Sequence, residues 1–341
     1  MSRHKRLFAG LALLLVLSAG LGWLDYRRVL GTPLSVPAGG VEFVVARGSS
    51  VGGLAQALAA QGLLRQPTWF VLYARSTGLA ARIQAGEYFI APGTTPKALL
   101  EQWAAGRVIE RELVLIEGWT LRQIRAALRA APKLGQTLDD VTDAELMARL
   151  GQPSQPAEGR FFPATYRYRL GDRDIDILRR AYKAMAERLA AAWARRVTDL
   201  PLASADDALT LASIVERETP LAAERPAVAG VYVRRLRLGM LLQADPTLIY
   251  GLGEDYTGTL TRADLQRDTP YNTYLHKGLP PTPIGAPGAE ALAAAVAPAA
   301  GDALYFVARG DGGHVFSATY DEHRRAVQAY RRFQQQATEE P

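Results

Sequence analysis

The chain has 341 residues, 48% hydrophobic and 22% charged, which suffices for two or three domains with real cores. Its net charge of +6 is concentrated at one end, with +4 in residues 1–28, and no aromatics interleave with basic clusters. That excludes a basic nucleic-acid-binding domain, and the absence of cysteine excludes disulfides, thiolate metal sites, a cysteine nucleophile and a lipidated N-terminal cysteine.

Arg3-His4-Lys5-Arg6 precedes an uncharged run from Leu7 to Leu24, followed by Asp25-Tyr26-Arg27-Arg28. Eighteen uncharged residues reach the lower limit for a membrane-spanning helix, and the leading basic residues place the N-terminus in the cytoplasm. The remainder then lies outside the cytoplasm. Trp23 and Tyr26 suit an interfacial anchor, which favours a retained single-pass helix over a signal peptide cut near Ser18 and Gly20. Residues 29–40, with Pro33, Pro37 and a Gly pair, read as a linker.

An internal repeat follows. Phe43-Val44-Val45, Tyr88-Phe89-Ile90 and Val114-Leu115-Ile116 each lead to a glycine (Gly48, Gly93, Gly118), then to Ser50, Thr95 or Thr120. Apolar residues stand six and ten positions past each glycine: Leu54 and Leu58, Leu99 and Trp103, Ile124 and Leu128. The grammar is a strand, a glycine turn of positive φ, a hydroxyl helix cap and a helix with an i, i+4 apolar pair. Such short units suit a non-catalytic binding module. Gly48-Ser49-Ser50-Val51-Gly52 formally fits a G-x-S-x-G nucleophile elbow, but Ser50 shares its place with Thr95 and Thr120, and capping explains all three.

Beyond Asp139, helices are predicted over 144–150, 174–197, 205–218 and 228–238, and a β-hairpin over 303–308 and 314–318 around Gly310-Asp311-Gly312-Gly313. A last helix runs over 320–336, and 337–341 is a polar tail. Strands and helices do not alternate regularly, so the class is α+β. Four histidines without ligand spacing and the lack of any phosphate-binding loop predict no metal and no cofactor.

The helix over 205–218 carries the sharpest signal. Leu211, Ile214 and Val215 form an apolar stripe, and Glu218 continues it. Burial there, and a helix C-terminus closed by Pro220, would both raise its carboxyl pKa, as a general acid requires. The pattern also fits a Glu that reaches water from the edge of the stripe. Glu216 points away from the stripe, toward solvent, so Glu216→Gln is expected to be the milder change. Residues 243–288 are dense in Pro, Gly, Thr and Tyr. Gln243, Asp245, Thr247 and Tyr250, with Tyr271-Asn272-Thr273-Tyr274 and the stiff Gly278–Ile284 wall, offer aromatic faces and neutral hydrogen-bonding groups. That combination suits a sugar chain better than an ion or a nucleotide, although a Pro-rich loop packed for structure has the same composition.

Ser213-Ile214-Val215-Glu216-Arg217-Glu218-Thr219, Leu242-Gln243-Ala244-Asp245-Pro246-Thr247-Leu248-Ile249-Tyr250-Gly251, Tyr271–Tyr274, Gly278–Ile284 and Tyr305-Phe306-Val307-Ala308 resemble, in order, the MltG/YceG-type endolytic murein transglycosylases. The resemblance implies a membrane anchor (1–28), a LysM-like binding region (41–135) and a mixed helical/β catalytic domain (136–336). It implies a single-pass inner-membrane enzyme, its catalytic domain periplasmic, that cuts nascent peptidoglycan strands internally beside peptidoglycan synthases. The family's catalytic acid matches Glu218. Glu216, Gln243, Asp245, Thr247, Tyr250, Tyr271, Asn272, Thr273 and Tyr274 are then candidates for substrate binding or support. Ala164 stands where the family usually has Asp, so the turn 158–163 receives no chemical role; Thr282 and Ala286 replace a usual Gly and Asn. The implied reaction is lytic cleavage of the β-1,4 MurNAc–GlcNAc bond, leaving 1,6-anhydro ends. The alternatives are a lysozyme-like hydrolase with Asp245 as second carboxylate, and a peptidoglycan-binding scaffold.

Overall fold

The uncharged N-terminal run, rich in Leu and Ala, forms α1 (Arg3–Gly31). Residues Gly10–Gly31 are long and apolar enough to cross a membrane. Leu11, Leu13, Leu14, Leu15 and Leu17 stand exposed along this helix, which fits a single-pass membrane anchor. The computed structural model describes residues 3–339. Met1 and Ser2 of the N-terminal stub, Glu340 and Pro341 of the tail, and the side chains of residues 3–7, 9 and 336–339 lie outside that description. The chain divides into two units: the first runs to Arg111 and takes in Arg167–Asp172, and the second is Glu112–Tyr166 with everything from Arg173 on.

In the first unit, α1 is followed by β1 (Val41–Val45), α2 (Val51–Ala60), α3 (Pro67–Ser76), β2 (Gly86–Ile90) and α4 (Pro96–Ala104). β1 and β2 pair antiparallel, with Phe43 opposite Tyr88. Period-two alternation sends Phe43, Val45, Tyr88 and Ile90 inward. Trp103 of α4 is fully buried and stacks on Phe43 at 5.5 Å, with Phe70 edge-on at 5.9 Å. Leu54, Leu58 and Leu99 complete this core. Each fully buried side chain of this size contributes roughly 1.5–3 kcal/mol. Ser50 and Thr95 cap α2 and α4 by accepting from Gly53 N and Ala98 N. Gly48 and Gly93 hold φ of 80° and 84°, so the turn grammar read from the repeat is realised here. α3 is an addition to the repeat: Pro67 sits in its first turn, where no N–H is needed.

The division between units falls inside β3 (Arg111–Val114) and β4 (Thr165–Tyr168), the strands of a second two-stranded sheet. The third copy of the repeat belongs to the second unit. There Gly118 has φ 76°, and Thr120 caps α5 (Leu121–Ala130) with a full capping box to Gln123. α6 (Asp143–Arg149) and α7 (Asp174–Ala194) follow, then α8 (Ala205–Glu218), α9 (Arg225–Arg237), α10 (Asp245–Leu252), α11 (Arg262–Gln266) and α12 (Ala289–Val296). β5 (Tyr305–Ala308) and β6 (His314–Ser317) form the expected antiparallel hairpin, and α13 runs over Tyr320–Glu339. His314 Nδ1 lies 2.7 Å from Glu224 Oε2, which ties the hairpin to the approach to α9. The architecture is mixed α+β.

α8 is the centre of this unit. Every residue from Ala208 to Glu216 is buried, against α9 (Val228, Ala229, Tyr232), α12 (Ala291, Leu292, Ala295) and α7 (Met185, Leu189). A helix covered all round is not the one-sided helix the stripe suggested. The covering element is α12, whose alanine-rich sequence carries no polar alternation to mark a face.

Candidate active site

α8 stops at Glu218, where Thr219 turns extended ahead of Pro220, so the Glu218 carboxyl is held at the helix C-terminus. The residue as a whole is half-buried, but Oε2 is sealed from solvent, and no group among the described residues hydrogen-bonds it. Burial pushes the Glu218 pKa up to about 7; the Tyr232 phenol facing the carboxylate opposes this, Asp245 reinforces it, and Arg235 opposes it more weakly. The negative end of the α8 dipole acts in the same direction as burial. A carboxyl about half protonated at neutral pH can both give and take a proton.

Tyr232 and Arg235 both come from α9, and spacing in the sequence singled out neither. Tyr232 is fully buried, and its phenol is held neutral by burial and by the Glu218 charge. Arg235 donates to the carbonyls of Leu304, Leu242 and Leu241 and to Gln243 Oε1 (2.7, 2.8, 3.2 and 3.4 Å). It thereby clamps the segment in which Gln243 adopts φ 51°, a conformation costly for a residue with a side chain. That segment delivers Asp245 to the start of α10, where Pro246 sits in the first turn. Asp245 is exposed and accepts a short hydrogen bond from Tyr274 OH. Glu218, Asp245, Tyr274 and, through Arg235, Gln243 therefore converge. Removing the phenol with Tyr232→Phe should move the alkaline limb of any Glu218-dependent pH–rate profile upward, since a group that stabilises the ionised form is lost; an unmoved limb would dissociate the two residues.

The other expected residues are placed differently. Thr247, Asn272 and Thr273 are buried. Thr247 Oγ1 and Thr273 Oγ1 meet at 2.8 Å, and Thr273 Oγ1 accepts from Ala244 N at 3.0 Å. Asn272 donates to the carbonyls of Leu265 and Arg267 and accepts from Tyr274 N. One amide thus cross-links the irregular chain between α11 and Tyr274. Asn272→Ala is expected to cost about 2–4 kcal/mol by stranding buried backbone groups, read as a lower denaturant midpoint. Tyr250 and Tyr271 contact each other edge-on, with ring centroids 4.8 Å apart. Tyr250 donates to Glu158 at 3.1 Å, and Tyr271 shares a hydrogen bond with Thr282 at 2.7 Å.

Glu216 requires a correction. It is not on the solvent side: its side chain is 4% exposed and bonds Arg225 at 2.6 Å, and Oε2 accepts from Gly288 N at 2.8 Å. Arg225 also meets Glu290 at 3.3 Å and Glu117 at 3.7 Å. Burial raises the Glu216 pKa, with the Gly288 N–H and Arg225 opposing. The reason is the coverage described above: α12 and the loop before it occupy the side that the helical wheel assigned to water. The same loop is pinned by Ile284, whose N–H donates to Ser213 Oγ and whose carbonyl accepts from Arg217.

The turn at 158–163 also does more than its sequence suggested. Glu158 accepts from Leu121 N (3.0 Å), Gly159 N (3.2 Å) and Tyr250 OH, and burial pushes its pKa up to about 7 against those donors. A carboxylate beside the apolar run Phe161-Phe162-Pro163 was the one available signal.

A family model described as the YceG-like family matches residues 43–329. A Bacillus subtilis protein named endolytic murein transglycosylase is 30% identical over 307 residues, covering 85% of this chain and 84% of that protein. A Streptococcus pneumoniae protein of the same name is 28% identical over 348 residues; the match covers 92% of this chain and 62% of that longer protein. The crystal structure of a YceG-like protein from Listeria monocytogenes superposes with a TM-score of 0.54 at 29% identity, over 84% of this chain and 98% of that one.

Proposed function

The chain belongs to the YceG-like family, and from that premise we propose that it is an endolytic murein transglycosylase with Glu218 as its single general acid/base. The observation that carries the reading is the Glu218 carboxyl itself, sealed at Oε2 and shifted to a pKa of about 7. The protonated acid gives its proton to the GlcNAc O4 as the bond from the MurNAc anomeric carbon breaks. The resulting carboxylate then takes the proton of the MurNAc C6 hydroxyl, and O6 bonds to the anomeric carbon. The proton returns to Glu218, no water is consumed, and the new end is a 1,6-anhydro ring. Asp245 raises the proton affinity of Glu218 and places negative charge where an oxocarbenium-like centre develops. Gln243 and Tyr274 are assigned to substrate positioning beside it. Glu216, Thr247, Asn272 and Thr273 support the site from within the fold.

A second carboxylate near Glu218 also favours a hydrolase reading, in which Asp245 replaces O6 as nucleophile or activates water. Digestion of sacculi with the purified protein, followed by mass analysis of the glycan ends, separates the readings. Anhydro ends support the transglycosylase; reducing ends would replace it with the hydrolase; uncut strands that co-sediment with the protein would leave a binding scaffold. Residues 41–135 are proposed as the LysM-like glycan-binding region. α1 is proposed as an inner-membrane anchor, cytoplasmic at its N-terminus, with the remainder of the chain at the periplasmic peptidoglycan near its synthases.

A further inference from the structure

Glu158 borders a cleft of about 380 Å³, within the range of small-molecule sites, that contains none of the groups around Glu218. Its walls come from the start of α5, from α10 and the turn after it, and from Arg217. Tyr250 and Tyr256 supply aromatic surface, while Arg122, Asp143 and Arg217 supply polar groups. Glu158 is fully engaged in holding this wall. By bonding Leu121 N and Tyr250 OH together it fixes α5 against α10.

The position of the cleft suggests its purpose. α10 begins at Asp245, beside Glu218, and reaches Tyr250 five residues later, about 7.5 Å along the helix axis. Arg217, which also lines the cleft, is the chain neighbour of Glu218. Through Arg217 the cleft reaches to within one residue of Glu218 along α8, and through α10 it shares an element with Asp245; an enzyme that cuts within a strand must hold sugars on both sides of the scissile bond. Resting on the transglycosylase reading above, we propose that this cleft is a distal saccharide subsite that holds one unit of the glycan strand against Tyr250 and Tyr256. Glu158 is its positioning residue, acting through Tyr250.

Tyr256 is the variant of choice: it is half-buried at the cleft wall, and its hydroxyl bonds only the nearby Gly258 carbonyl among the described residues. The test uses the full-length protein in detergent, with Glu218→Gln added to stop turnover, titrated calorimetrically with murein oligomers of two and of four disaccharides. The expected result is that the longer oligomer binds about tenfold or more tightly than the shorter one. Tyr256→Ala should abolish that advantage, and Tyr256→Phe, which keeps the ring and loses the bond to Gly258, should retain it. In the active background, Tyr256→Ala should raise KM for long strands about tenfold and leave kcat unchanged. Equal affinity for both oligomers, or a length advantage that survives Tyr256→Ala, would overturn the subsite alone. Failure of the parent protein to bind either oligomer would overturn the glycan reading beneath it.

Discussion

Replacing Glu218 by Gln is expected to remove glycan cleavage by at least 10²–10⁴-fold while preserving the fold and raising thermal stability above pH 7. The first half follows from the reaction: an amide of the same shape can neither give nor take the proton. The second half follows from linkage. The folded-state pKa of about 7 lies above the ordinary glutamate value of 4.5. Between those values the folded chain holds a proton that the unfolded chain has released, so stability falls as pH rises through that window. The wild type therefore carries its full penalty above pH 7 and none below about 4.5. The shift corresponds to a gain on the order of 3 kcal/mol for Glu218→Gln at pH 8, and to little change at pH 4.5. Circular dichroism melts at the two pH values read this directly. Retained cleavage in the variant would remove Glu218 from the mechanism, and a pH-independent stability difference would remove the raised pKa.

The second large effect is expected at Glu216. Glu216→Ala strands the buried Arg225 guanidinium, which keeps Glu290 and the more distant Glu117 but loses its closest partner. Breaking one side of a buried ion pair costs about 3–5 kcal/mol, so a drop in Tm on the order of 10 °C is expected for a unit of this size. The Gly288 N–H loses its acceptor as well, which loosens the loop that leads into α12. Because the penalty comes from the unpaired cation, the double change of Glu216→Leu with Arg225→Met should recover much of it, as a double-mutant cycle would measure. Single and double variants of equal stability would mean that the pair is not what holds the loop. Activity should fall with stability in the single variant, without a displaced pH profile, which distinguishes Glu216 from Glu218.

The two acids show how far local sequence reaches. Helical spacing placed Glu218 on the buried stripe of α8 because that stripe, Leu211, Ile214 and Val215, lies within three turns of one regular element. The same spacing misplaced Glu216, because water on the other face was inferred from polarity, and the group that displaces the water lies some seventy residues downstream. α12 and Gly288 announce no partner in their own sequence. Nor does Tyr232: it is one aromatic among the apolar residues of α9, and its meaning depends on how α8 and α9 are packed. Asn272 and Thr273 have the types expected of sugar-binding residues, yet their hydrogen bonds are spent inside the protein. Residue type states bonding capacity, and only the fold states where that capacity is used.

The sequence by itself determined the apolar N-terminal helix, the α+β class, the glycine-and-hydroxyl starts of α2, α4 and α5, and the presence of a carboxyl at the end of α8. Each of these follows from interactions between residues a few positions apart: hydropathy over one segment, positive φ at one glycine, one side chain capping the N–H three residues on. Tertiary structure alone decided which acid is desolvated with an arginine acting on it only weakly, which is locked to an arginine, and that Glu158 stands at a second cleft. Those outcomes depend on which distant segment excludes water from each carboxyl and what charge that segment brings. The cost of burying an ionised group is set by those neighbours and not by the group's place along its own helix.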